Sequence, residues 1–195
     1  MKRGVVFLSV AAALVCAFAL GRARAQDDGG DPMEAWAALG KTGPEHAALM
    51  KDVGTWNCAC KGWEKPGSEP KESTGKAVFS SVLDGRYLKQ EFEGTDMNGQ
   101  PMHGIGYMGY NNATKQYESI WMDSGSTGIG FMTGTETEPG KVWTYTGNFD
   151  GPGGTKMKMK LVLTKKNADT QLMEMYMDMG MGDMKGMEMT YTRAK

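Results

Sequence analysis

Histidine is almost missing from this chain: His46 and His103 are the only two among 195 residues. No Gly-x-Ser-x-Gly elbow occurs, and a Ser–His–acid site needs a nucleophile held beside its base. His46 falls on a short amphipathic helix and His103 at the start of a strand near Pro101, so both read as structural or exposed side chains. Two carboxylates in a cleft could do acid–base work, but no spacing singles out a pair. Gly125-Ser126-Thr127-Gly128-Ile129-Gly130 has the glycine content of a phosphate loop. It lacks the lysine and the following helix that give such loops their function, and it reads as a Gly-rich turn into a strand. The expectation is a protein that binds rather than an enzyme.

Cysteine is scarce as well. Cys16 lies in an N-terminal apolar run, which leaves Cys58 and Cys60. In an oxidising compartment an even pair invites a disulfide. Two residues apart in a strand, however, their Cα atoms stand near the upper limit of about 6.8 Å for a bridge, so free thiols are expected. A long apolar helix is also lacking. The run at 5–20 holds about sixteen residues, short of the roughly 20 that span a bilayer.

What surrounds that run has the parts of a secretory signal. Lys2 and Arg3 precede it, and Ala23-Arg24-Ala25 follows as a small-x-small cleavage pattern. The expected organisation is a signal peptide at 1–25, a flexible Gly/Asp-rich linker at 26–31 and one domain at 32–195. The protein is then exported, periplasmic or secreted, with no transmembrane anchor after cleavage. An uncleaved anchor and a lipoprotein at Cys16 are the rival readings. The short run counts against the first, and Leu14-Val15, with no small residue before the cysteine, against the second.

Clustered positive charge is missing too. Loss of Lys2, Arg3, Arg22 and Arg24 leaves 18 bases against 23 acids, which argues against a nucleic-acid partner, whose phosphates demand clustered Lys and Arg. About 170 residues remain, enough for one domain with a real core.

Helical patterning stops at Gly54. Before it, 32–39 can make a few turns. A second helix is better specified: Thr42 or Gly43 caps it, Pro44 sits in its first turn and Glu45 favours its positive end. Its Leu49, Met50 and Val53 recur at helical spacing and predict a packed face. After Gly54 ten strands are predicted, at 55–63, 73–82, 87–94, 102–110, 116–122, 128–137, 141–149, 155–164, 170–177 and 187–193. Turn chemistry separates them: Asp84-Gly85, Asn98-Gly99, Asn111-Asn112, Pro139-Gly140 and the stretch from Asp150 to Gly154. Short strands at near-regular spacing fit a sandwich or a barrel. No stretch is long enough for a βαβ crossover, which argues against a parallel sheet.

Strict alternation marks several faces. Met157, Met159 and Leu161 alternate with Lys156, Lys158 and Lys160; Met173, Met175 and Met177 alternate with Glu174, Tyr176 and Asp178. Trp143, Tyr145 and Phe149 share one side of a strand, and so do Trp56, Cys58 and Cys60.

Several stretches occur in order: Glu45-His46-Ala47-Ala48-Leu49, Gly54-x-Trp56, Leu83-Asp84-Gly85-Arg86-Tyr87-Leu88, Gly109-Tyr110-Asn111, then Tyr117 and Trp121-Met122-Asp123. The series resembles the bacterial domain-of-unknown-function 1579 family over nearly the whole mature chain. Gly54-x-Trp56 after a short helix also looks like the opening of calycin-type barrels, where the tryptophan plugs one end. The resemblance implies a mainly β fold, a closed or nearly closed antiparallel barrel of about ten strands with one or two short N-terminal helices, and no established activity. Haem-binding barrels of the nitrobindin type ligate iron through a late histidine. Neither histidine here lies in the last strands, so that chemistry does not carry over.

Methionine is abundant instead: 18 in the chain, eight of them between Met173 and Met189. Alternate methionines in a strand suit an adaptable apolar lining. A small apolar molecule held in the barrel mouth is the leading expectation. Its candidate lining is Trp56, Trp121, Trp143, Met157, Met159, Met173 and Met175, with no cofactor. The alternative is a soft-metal protein for Cu(I), since thiolates and thioethers select that ion. It would use Cys58, Cys60, Met177, Met179, Met181 and Met184, the tract 179–187 being read as a long flexible hairpin loop with exposed thioethers. Oxidant scavenging by the thioethers and a filled barrel acting as a scaffold are the remaining readings.

Overall fold

The computed structural model describes residues 31–178, Gly180 and 182–195. The expected signal peptide and nearly all of the linker lie outside the described residues, as do Met179 and Met181. The chain divides into a unit ending at Trp36 and a second unit, Ala37–Lys195. Helix α1 (Pro32–Leu39) carries no buried residue.

Helix α2 (Pro44–Met50) begins as its sequence predicts. Pro44 occupies the first turn, where a backbone N–H would have no helical partner. His46 Nδ1 accepts the Gly43 N–H at 3.0 Å, which caps the helix from within. His46 and Leu49 are its buried residues. Val53, expected on that face, is instead exposed and beyond the helix end. The chain tightens after Met50, because the Asp52 and Val53 N–H groups turn back to the carbonyls of Leu49 and Met50.

Ten strands follow among the described residues: β1 (Gly54–Gly62), β2 (Lys71–Val82), β3 (Tyr87–Thr95), β4 (Pro101–Asn111), β5 (Gln116–Asp123), β6 (Gly130–Glu138), β7 (Val142–Asp150), β8 (Lys156–Asn167), β9 (Thr170–Asp178) and β10 (Met184–Arg193). Each pairs antiparallel with its sequence neighbour, and β1 pairs with β10, so the sheet closes into a barrel rather than splitting into a sandwich. The β2–β3 turn takes three successive left-handed residues, Leu83, Asp84 and Gly85. One expectation fails at β10. That strand starts at Met184, not 187, so the connection from β9 is only residues 179–183 rather than a long loop. Gly186 sits inside the strand at a bulge between Lys185 and Met187, and the Met177 side chain lies over it.

The inward face follows from alternation: Trp56, Cys58 and Cys60 on β1, Met159 and Leu161 on β8, and Met173, Met175 and Met177 on β9 all pack in the core, with the half-buried Met157 on the same face of β8. Ten strands enclose more width than the eight that ordinary side chains fill. Here the extra space is taken by rings laid across glycines of the neighbouring strand. Trp121 covers Gly104 and Gly106, Phe92 covers Gly75, Phe149 covers Gly130 and Tyr145 covers Gly134. A glycine inside a strand permits that close approach.

Candidate functional site

The strand directions divide the interior into a floor, a middle and a mouth. β1 starts beside α2 and runs away from it, and β10 returns, so α2 and the turns at 83–86, 112–115, 139–141 and 168–169 mark one end. The connections at 63–70, 96–100, 124–129, 151–155 and 179–183 mark the other.

The floor is a packed plug. Trp56 is fully buried; its Nε1 donates to the Asp52 carbonyl at 2.9 Å, and the Arg193 guanidinium lies 4.2 Å from its ring centroid. Trp143 meets Tyr117 edge-on at 6.4 Å and takes the Lys165 ammonium over its ring at 4.9 Å. Lys165 pairs with Asp52 Oδ1 at 2.9 Å, and Gln171 Nε2 donates to the same oxygen at 2.9 Å. Burial raises the Asp52 carboxyl above its usual range, and Lys165 only partly offsets this. Trp56 and Trp143, two of the expected lining residues, therefore stand at the bottom of the barrel.

The middle is rich in sulfur. Cys58 and Cys60 are both free and buried. In register, Cys60 faces Met189 of β10, which faces Met173 of β9, and Cys58 faces Tyr191. The Tyr191 hydroxyl accepts from Gln90 Nε2 at 3.4 Å and donates to Met173 Sδ at 3.9 Å. Burial, reinforced by neighbouring Cys60, pushes the Cys58 thiol up to about 12. Burial also raises Cys60, against a hydrogen bond from Ser73 that holds it down. Met173 belongs to this level, whereas the buried Met159 faces Met177 of β9 in register.

The mouth holds Trp121 and Met175 together with Met102, Phe149, Met177 and Met187, all half-buried and packed on the core, and the half-buried Met157, which faces Phe149 in register. Trp121 Nε1 donates to Asp123 Oδ2 at 2.8 Å, which ties the ring to the rim. Met97, from the 96–100 connection, is exposed at 42%, yet its thioether lies over Gly62, the next inward position after Cys60. Met177 and Met184 face each other in register at this end. The loop reading of the Met-rich tract is corrected here: Met184 and Met187 are strand residues, and Met187 packs on the core opposite Met175. Sequence reasoning did not single out Met97, Met102, Met187 or the glycines. The doublet Gly104-x-Gly106 was the available signal, since two inward glycines in one strand call for a ring above them.

A groove of about 620 Å³ lies outside the barrel wall, along Phe131, Thr133, Thr146, Asn148, Lys158 and Lys160, with Asp183 overhanging it. Lys160 is ion-paired to Asp183. The groove shares Gly147 and Met159 with the wall but does not enter the mouth. Among the described residues no three His, Cys, Asp or Glu side chains converge as a metal site would need.

The model of a family of proteins of unknown function, DUF1579, matches residues 41–193. The chain belongs to that family. No curated protein matches the DUF1579 chain. Among solved structures it is similar to Rv2717c from M. tuberculosis at 16% identity and a TM-score of 0.57, over 80% of this chain and 100% of that one. It is also similar to the S-type phycobiliprotein lyase CPES from Guillardia theta at 12% identity and a TM-score of 0.54, over 82% of this chain and 97% of that one. At such identities the likeness is one of fold.

Proposed function

We propose that this DUF1579 protein is an exported carrier that takes a small apolar molecule into the mouth of its barrel and performs no chemistry on it. The observation that carries the reading is the half-buried apolar set of Met102, Trp121, Phe149, Met157, Met175, Met177 and Met187 at the end opposite α2. A folded protein gains by covering such a surface, and barrel mouths are favoured places for small ligands. Thioethers suit the task because three rotatable bonds let them move aside and repack. A molecule that buried about 250 Å² of apolar surface there would gain about 6 kcal/mol at about 25 cal/mol per Å², from which the cost of lost translational and rotational freedom is subtracted. Export rests on the residue pattern at 1–25.

Native mass spectrometry of the protein from the exported fraction is the direct test. An organic mass carried by the native protein and lost on denaturation supports the proposal, and its identity names the ligand. Protein found only in the cytoplasm, or one that neither carries nor takes up any apolar compound from a panel, overturns it. Met175→Lys is expected to abolish uptake by setting a charge in that set, while the volume-conserving Met175→Leu keeps it. Uptake unchanged in Met175→Lys would place binding elsewhere.

A further inference from the structure

Two thiols and two thioethers from three adjacent strands share one inward row in the middle of the barrel. Cys60 of β1, Met189 of β10 and Met173 of β9 are directly opposite one another in register. Directly opposite residues in antiparallel strands have Cβ atoms about 4.5–5.5 Å apart, so long flexible side chains from these positions can meet at one point. Cys58 lies on the same face, two residues along β1. The Tyr191 hydroxyl bonds Met173 Sδ, and Tyr191 is the register partner of Cys58, so the Met173 sulfur leans toward the Cys58 side of the row. All four residues are buried.

We propose that Cys60, Cys58, Met189 and Met173 form a binding site for one soft monovalent cation of the Cu(I) class, separate from the apolar mouth above it. Thioether and thiolate ligands select such an ion over harder ones. Charge balance points the same way. When Cu(I) binds, the Cys60 S–H bond breaks, its proton leaves to solvent and a copper–sulfur bond forms, with no change of oxidation state. One cation on one thiolate is neutral, which an apolar interior accepts far more readily than a bare thiolate. Cys60 is the thiol in line with both thioethers, since it faces Met189 in register and Met189 faces Met173, while Cys58 stands one inward position further along β1. The next inward position on β1 is Gly62, which has no side chain, and the exposed Met97 side chain fills the space over it, so a shift of this one flexible thioether would open the way from solvent to Cys60. This site differs from the loop set expected from the sequence: it is buried, it uses Met173 and Met189, and it draws nothing from residues 179–183.

The test is a titration of the reduced, anaerobic protein with Cu(I) in competition with a chromogenic Cu(I) chelator. The wild type is expected to hold one equivalent against the chelator, to release one proton per ion, and to show thiolate-to-copper absorption that stops growing at one equivalent. Cys58→Ser/Cys60→Ser and Met189→Leu are expected to lose the retained equivalent, while Met33→Leu/Met184→Leu keeps it. Copper retained by the double serine variant would assign the metal to surface thioethers and overturn the site. A wild type without the absorption band would overturn it with no variant at all, which covers the case of a serine variant that fails to fold. Retention of an organic ligand by the mouth is independent of either result.

Discussion

The glycines under the interior rings can be tested by adding one carbon atom. A Cβ at Gly104 would run into the six-membered ring of Trp121, with Cη2 at 2.5 Å and Cε2 at 3.1 Å. A Cβ at Gly75 would strike the Phe92 ring, with Cε2 at 2.5 Å, and also the Glu93 backbone carbonyl at 2.8 Å. The two clashes differ in what can give way. Trp121 is half-buried at the mouth and can swing outward, breaking its bond to Asp123. Phe92 is buried at 4% and the carbonyl belongs to the β3 ladder, so neither can move. Overpacking costs about 1–3 kcal/mol. Gly104→Ala is expected at the low end, about 1 kcal/mol, and Gly75→Ala at the high end, about 3 kcal/mol or more. For a domain of this size that corresponds to about 2–4 °C in Tm per kcal/mol. Urea unfolding of both variants, each combined with a ring-deleting partner in a double-mutant cycle, isolates the clash. Trp121→Leu should absorb most of the Gly104→Ala cost, with a coupling of about 0.5–1 kcal/mol. Phe92→Leu should absorb only part of the Gly75→Ala cost, because the carbonyl remains. Equal costs at the two glycines, or coupling of zero at Gly104, would refute the picture of rings laid on glycines.

Three further outcomes follow from the floor and the middle. Lys165→Met removes the partner of a buried carboxylate and is expected to cost about 3 kcal/mol, read as a drop in the urea midpoint; because burial holds Asp52 above its usual range, the folded state keeps that proton longer, so the variant should lose stability as pH rises from about 4. Wild-type stability is expected to fall as pH rises from about 9 toward 12, since the unfolded chain releases the Cys58 proton that the folded barrel retains, and Cys58→Ser should flatten that slope. Trp56→Phe is expected to lower stability by about 1–3 kcal/mol by leaving the Asp52 carbonyl without its indole donor.

Much of the fold was legible because alternation is a local signal. Lys156 to Leu161 declared their faces without help from the rest of the chain, and all ten strands begin and end within three residues of their predicted bounds. What alternation cannot report is depth along the barrel axis. Trp56 and Trp121 are both inward tryptophans, yet one closes the floor and the other guards the mouth. The start of β10 was hidden by Gly180, Gly182 and Gly186. The first two have positive φ, while the third keeps the strand because Met177 fills the space its side chain would occupy. A closed barrel already puts the first strand, with Cys58 and Cys60, beside the last; the register that sets Cys60 opposite Met189 and Met189 opposite Met173 was not legible, since alternation leaves it open.

The closing pair has a topological consequence. Its seam brings Trp56 level with Arg193, and the Ala194 N–H reaches the Thr55 carbonyl at 2.8 Å. The barrel is thus a ring whose loose ends sit together beside α2, opposite the mouth. A circular permutant that joins the end of β10 to the start of β1 through a short peptide and opens the chain at 139–141 should rebuild the same barrel, and a surface tether placed at the seam should leave the mouth unobstructed.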